Sequence, residues 1–112
     1  MADVVFDDEY TKAVSSVRNL AFDFSGVLAS GESFTGTITA TSDPSGLTIN
    51  NVTFNSTALT IDGKTVPAGQ AITMSVSGGT AGTRYEINMS GATDATPSQT
   101  IPAIGYLSVQ AD

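Results

Sequence analysis

The residues of this chain that could do chemistry are few, and glycine sets the first question. "VSGGTAGTRYEINMSG" (Val76–Gly91) places Gly78, Gly79 and Gly82 beside Arg84. A phosphate-cradling loop needs G-x-x-x-x-G-K-[ST] between a strand and a helix, whose N-terminal amides receive the anion. No lysine follows Gly82, and "TRYEINM" alternates as a strand does, so the glycines are expected to turn a hairpin. The carboxylates Asp43, Asp62 and Asp94 lie in separate turns, and no D-x-[DN]-x-[DN]-G calcium loop occurs. The chain has no His and no Cys, which removes the usual near-neutral base, the imidazole ligand, the thiolate and the disulfide. Serines without a His or an S-x-x-K string have nothing to activate them. No catalytic, cofactor-binding or metal-ligating residue is expected, and no enzyme.

Charge excludes further classes. Four cations face eleven acids over 112 residues, a net charge of −7. Lys12, Arg18, Lys64 and Arg84 form no cluster able to displace counterions from phosphates, so neither nucleic acid nor an anionic membrane is an expected partner. No apolar run reaches the roughly 18 residues of a membrane span. The start, "MADVVFDDEYTK", lacks the basic-then-apolar pattern of a secretory signal. The N-x-[ST] strings at Asn51, Asn55 and Asn88 are expected by chance in a chain so rich in Ser and Thr.

Most of the chain has the periodicity of strands. Leu20, Phe22 and Phe24 alternate with smaller residues, then "SGVLASGES" turns the chain with Leu28 tucked inward. Phe34, Gly36, Ile38 and Ala40 alternate with threonines. Leu47, Ile49, Val52 and Phe54 follow, with a change of phase at Asn50-Asn51 that predicts a bulge. Asp62-Gly63 marks a two-residue hairpin. Ile72, Met74 and Val76 form the next strand, Tyr85, Ile87 and Met89 another, and Leu107 and Val109 point inward from a last one, with Pro102 at an irregular or edge position. Seven or eight short strands separated by turns predict an all-β antiparallel sandwich, with a small barrel as the alternative.

Residues 1–16 differ from the rest and are taken as an N-terminal arm, with residues 17–112 as the sandwich domain. Val4, Val5, Phe6 and Tyr10 are the candidate interface residues of this arm. A short helical turn after Asp8, an extended arm lying on a neighbouring subunit, and a frayed acidic tail all fit the pattern. Tyr85 opens the penultimate strand after a glycine turn, where immunoglobulin-like sandwiches carry a tyrosine whose hydroxyl bonds back to nearby backbone. Phe22, Phe24, Leu28, Tyr85 and the three glycines are therefore assigned structural roles.

Three segments carry a family resemblance: "FDFSGVLASGESF" (Phe22–Phe34), "SGLTI" (Ser45–Ile49) and "MSVSGGTAGTRYEI" (Met74–Ile87). Between Phe22 and Met89 the chain resembles short immunoglobulin-like virion structural proteins of tailed bacteriophages, which show DWS-x-W-L, SGLTV and SGGTAG-x-x-Y. Phe24 and Val27 stand where that pattern has tryptophans, and "ATDATPSQTIPAIGYLSV" departs from the family's more basic tail. The resemblance implies an immunoglobulin-like sandwich and a non-enzymatic virion component. That component would be made in the host cytoplasm and be either a tail or neck fibre adaptor or a head decoration. Its partners would be tail, neck or capsid subunits, with several copies held together through arms and sheet edges. A carbohydrate- or receptor-binding adhesion module is the alternative, with Tyr10 and Tyr106 as its available aromatics.

Overall fold

The computed structural model describes residues 4–29, 31–61 and 63–112, except the side chains of Asp7 and Asp8. All regular structure among them is strand: β1 Val4–Ala13, β2 Arg18–Asp23, β3 Phe34–Asp43, β4 Leu47–Phe54, β5 Leu59–Ile61, β6 Lys64–Val66, β7 Ala71–Gly78, β8 Arg84–Thr93 and β9 Thr100–Gln110. One sheet has the order β1-β9-β8-β3 and the other β2-β7-β4, while β5 and β6 form a separate hairpin. The pairs are antiparallel except β1 with β9, which is parallel. The fold is an all-β sandwich. Ile61 pairs with Lys64 around the two-residue turn, of which Asp62 lies outside the described residues.

The alternating side chains of both sheets meet in one core. Leu20 and Phe22 from β2, Ile72, Met74 and Val76 from β7, Ile87 and Met89 from β8, and Leu107 and Val109 from β9 are all buried. Burying one face of each strand in this way supplies the main driving force, at roughly 25 cal/mol per Å² of apolar surface. Gly105 shows how closely the layers meet. A Cβ there would stand 2.5 Å from a ring carbon of Phe22, so only glycine lets the β9 backbone accept that ring. Aromatic rings continue the contact. Phe6 lies 5.1 Å from Phe22 and 5.0 Å from Phe24, and Phe24 lies 5.0 Å from Phe34, all in tilted or edge-to-face geometry.

These contacts correct the reading of residues 1–16 as a separate arm. Val4–Ala13 is neither a helical turn nor a free tail but a full strand of the first sheet. Tyr10 ties it to the other sheet: its hydroxyl donates to the Ala21 carbonyl at 2.6 Å and accepts from the Ala21 N–H at 3.3 Å. One side chain thereby satisfies both backbone groups of a residue on the edge strand β2. The pattern in "VVFDDEYTK" was not legible as a strand because its phase breaks. Between the pairs Val5–Ile104 and Glu9–Tyr106, β1 advances four residues while β9 advances two. The extra length lets Phe6 turn into the core.

The other exposed edges are broken in the same manner. Between Thr35–Ala92 and Thr39–Ser90, β3 advances four residues against two on β8, with Gly36 at φ 75°. Between Asn50–Ser75 and Thr53–Thr73, β4 advances three against two, with Asn51 at φ 55°. This is the bulge that the Asn50-Asn51 phase change predicts. Bulges of this kind disrupt the row of amides and carbonyls that another chain would need for strand addition. β9, by contrast, is an inner strand and not an edge. Pro102 precedes the first described β1–β9 pair, Val4–Ala103, so its missing N–H takes no bond from that ladder.

Candidate functional site

The glycine motif spends three of its amides inside the fold. Gly82 donates its N–H to the Val109 carbonyl at 2.8 Å, Thr83 donates to the Thr80 carbonyl at 3.1 Å, and Thr80 donates to the Tyr85 hydroxyl at 2.9 Å. A phosphate would need these same amide protons, and the loop leads into β8 instead of a helix. Gly79 has φ 96°, and a Cβ on it would lie 2.8 Å from a Val109 methyl group, which accounts for glycine at this position. Gly78 and Gly82 also have positive φ. Tyr85 is 2% exposed, and its hydroxyl is the acceptor in its bond to the backbone. Tyr85→Phe leaves the Thr80 N–H without that acceptor and should lower the unfolding free energy by about 1–3 kcal/mol in urea denaturation. An unchanged midpoint would show that water replaces the hydroxyl.

Arg84 joins three strands across the outer face of the first sheet. Its guanidinium pairs with the Glu9 carboxylate and lies 4.0 Å from the centre of the Tyr106 ring, while Ser108 donates to Glu9 at 3.0 Å. The Arg84 and Ser108 hydrogen bonds hold the Glu9 carboxyl below its ordinary value of 4.5. Partial burial pushes Asp23 up, but donors from Ser25 and the Lys64 ammonium, 3.7 Å away, outweigh it and leave a net lowering from 3.8. A carboxyl with a lowered folded pKa stabilises the fold above its unfolded pKa, and that stability is lost as pH falls through the folded value. With no histidine in the chain, thermal midpoints should stay level from about pH 5 to 8 and fall only below about pH 4.5. A step near neutrality would overturn this assignment.

The loops at one end of the sandwich are braced together. The segment after β2 meets the β6–β7 loop, where Phe24 donates to the Gln70 carbonyl at 2.9 Å and Gln70 Nε2 donates to the Glu32 carbonyl at 2.9 Å. It meets the β8–β9 loop where Ser33 donates to Asp94 Oδ1 and Asp94 donates back to the Ser33 carbonyl, both at 2.9 Å. Leu28 is buried beneath this segment. Asn55 fixes the base of the β5–β6 hairpin. Its side chain donates to the Thr57 and Pro67 carbonyls at 2.8 and 3.0 Å and accepts from the Ala71 N–H at 3.0 Å. Two grooves flank the loop tip. One, of about 560 Å³, lies between Leu28, Ala29 and Gly31 on one side and Pro67, Ala68 and Gln70 on the other. The other, of about 350 Å³, lies between Ala29, Gly31 and Glu32 on one side and Asp94, Ala95 and Gln99 on the other. No group of three or more potential metal ligands occurs among the described residues.

A family model described as podophage GP4 fiber-tail adaptor protein gp77 matches residues 12–101. The chain belongs to this family. Comparisons with curated proteins and with solved structures gave no match. Membership in the adaptor family places the chain among the structural components of phage virions. The matched range runs from the end of β1 to the start of β9. It includes Phe22, Phe24, Leu28, Tyr85 and the glycine turn, and leaves out Val4, Val5, Phe6 and Tyr10. Phe6 and Tyr10 pack on the chain's own core, whereas Val5 is 50% exposed.

Sequence reasoning passed over three polar residues of this fold. Lys12 counted only as one of four cations, Asn55 as a chance glycosylation string, and Glu32 as a turn residue. Nothing local marks any of them, because each has at least one partner on a loop or strand distant in the chain.

Proposed function

We propose that the chain is a fibre–tail adaptor of a podophage particle: an immunoglobulin-like sandwich, present in several copies, that joins other virion proteins through non-enzymatic protein–protein contacts. The match to the adaptor family over residues 12–101 carries this reading. The strand order supports the immunoglobulin-like part. With β1 as the N-terminal strand, β9-β8-β3 corresponds to the G-F-C sheet and β2-β7-β4 to the B-E-D sheet. The Tyr85 hydroxyl bond at the start of β8 fits the same arrangement. Adaptor membership favours the tail over head decoration.

The glycan-binding alternative rested on Tyr10 and Tyr106. Tyr10 is held by Ala21 and packs on Phe22, and Tyr106 has its face covered by Arg84, so neither offers a free stacking platform. The deciding measurement is the copy number in purified particles by quantitative mass spectrometry. A symmetric tail or neck site gives a few to roughly a dozen copies; hundreds of copies would make the chain a head decoration and overturn the proposal.

A further inference from the structure

We propose that the outer face of β3, β8 and β9 is the docking surface for a protein partner that brings a lysine or arginine to Asp43 and Glu86. The strand register lays this face out in rows. Asp43 stands opposite Glu86, and Glu86 opposite Tyr106. The next row runs Thr41, Asn88, Ile104, and the one after it Thr39, Ser90, Pro102. All of these side chains are exposed or half-buried. Because Asn88 and Ser90 are short, the face sinks between β3 and β9 into a groove of about 470 Å³ whose lining reaches Met89 and Ala103. Glu86 lines the groove on β8, and Pro102 and Ile104 give it an apolar wall on β9.

Charge selects the occupant. Two carboxylates directly opposite each other on antiparallel strands repel. Neither Asp43 nor Glu86 has a salt bridge among the described residues, and Arg84, two residues before Glu86 on the same strand, is spent on Glu9. The pair therefore sets uncompensated negative charge beside an apolar wall, the combination of rim and centre found in protein interfaces. The outer face of the other sheet has neither feature. Its rows run Asn19, Ser75, Asn50 and Ala21, Thr73, Thr53, with no charge and nothing apolar larger than alanine. A second copy of this chain, with its own net charge of −7, is repelled by the pair, whereas a basic partner is drawn to it. The broken edges of β1, β3 and β4, together with the Tyr10 cover on β2, discourage strand addition and leave a sheet face for the contact.

This rests on the adaptor reading and deepens it by naming a face and a partner chemistry. Carboxyl footprinting tests it: the free full chain and purified particles are each treated with a carbodiimide and glycine ethyl ester, and the labelled residues are counted by mass spectrometry. Asp43 and Glu86 should lose most of their labelling in the particle. Particles are then made with variants of the chain. Glu86→Lys faces Asp43 as an opposite charge, so the fold keeps its urea midpoint, while copies per particle should fall about tenfold or more. Asp43→Asn combined with Glu86→Gln, which preserves shape, gives a second variant and should also lower the count. Ser75→Lys, on the outer face of the other sheet, should leave it unchanged. Full labelling of Asp43 and Glu86 in the particle, an undiminished count for Glu86→Lys, or an equal loss from Ser75→Lys would overturn the proposal. Protection already present in the concentrated free chain would make the occupant a second copy and overturn it as well. None of these outcomes alters the wild-type copy number, which tests the adaptor reading separately.

Discussion

Lys12→Met should lower the free energy of unfolding by roughly 2–4 kcal/mol, the loss expected when charged donors are removed from buried acceptors. Lys12 is 2% exposed, and its ammonium donates to the carbonyls of Ala13, Val14 and Gly78 at 2.6, 3.0 and 2.8 Å. An ammonium has three protons, and each finds an acceptor. Two of those carbonyls follow directly after Lys12 in the chain, while the third ends β7 in the opposite sheet, so the side chain clasps the two layers. Methionine keeps the apolar stem and deletes only the donors. Lys64→Met is the control, since Lys64 is 61% exposed and only 3.7 Å from Asp23; an exposed pair of this kind contributes about 0–1 kcal/mol. Urea midpoints of the two variants decide the matter, and equal shifts would show that the Lys12 hydrogen bonds are replaced by water.

Phe24→Ala should cost more, about 3–5 kcal/mol, which is the range for emptying a fully buried aromatic site. Phe24 has no exposed surface and sits between Phe6 and Phe34, both at 5.0 Å. Its loss therefore leaves a cavity and also removes one of the two aromatic contacts that hold Phe6, and through Phe6 the bulged part of β1. Domains of this size have about 5–15 kcal/mol in total, so the variant sits near its unfolding threshold. Limited proteolysis should cut within β1 before the rest of the sandwich. A loss below about 1 kcal/mol, with β1 as resistant as before, would mean that Phe6 is held by Phe22 alone. The same packing implies that removing residues 1–11 destabilises the domain, because Phe6 and Tyr10 belong to its core.

Much of the sandwich was legible because alternation is a local signal. Leu20, Phe22 and Phe24, or Ile72, Met74 and Val76, declare a strand and its buried face within six residues. Gly63 and the Gly78–Gly82 turn were legible from the backbone conformations that glycine alone adopts freely. Tyr85 followed from its place after that turn. β1 was not legible, because its extra residues break the period and its parallel partner β9 lies some ninety residues on. The roles of Lys12, Asn55 and Glu32 were hidden for a related reason. Hydrogen-bond partners 66, 12 and 38 positions away, counted for Lys12 with Gly78, Asn55 with Pro67 and Glu32 with Gln70, leave no local mark.

By itself the sequence determined the class of this protein: an all-β chain without imidazole or thiol, with a net charge of −7 and with segments resembling those of phage virion proteins. These properties follow from residue types and from the period of two, and neither depends on what meets what in space. The tertiary structure alone decided that the N-terminal segment is a strand, that three amides of the glycine loop are spent inside the fold, and that one carboxylate oxygen of Glu32 has no donor among the described residues. Each of those depends on which distant groups supply or withhold a hydrogen-bond partner, and only the folded chain brings such groups together.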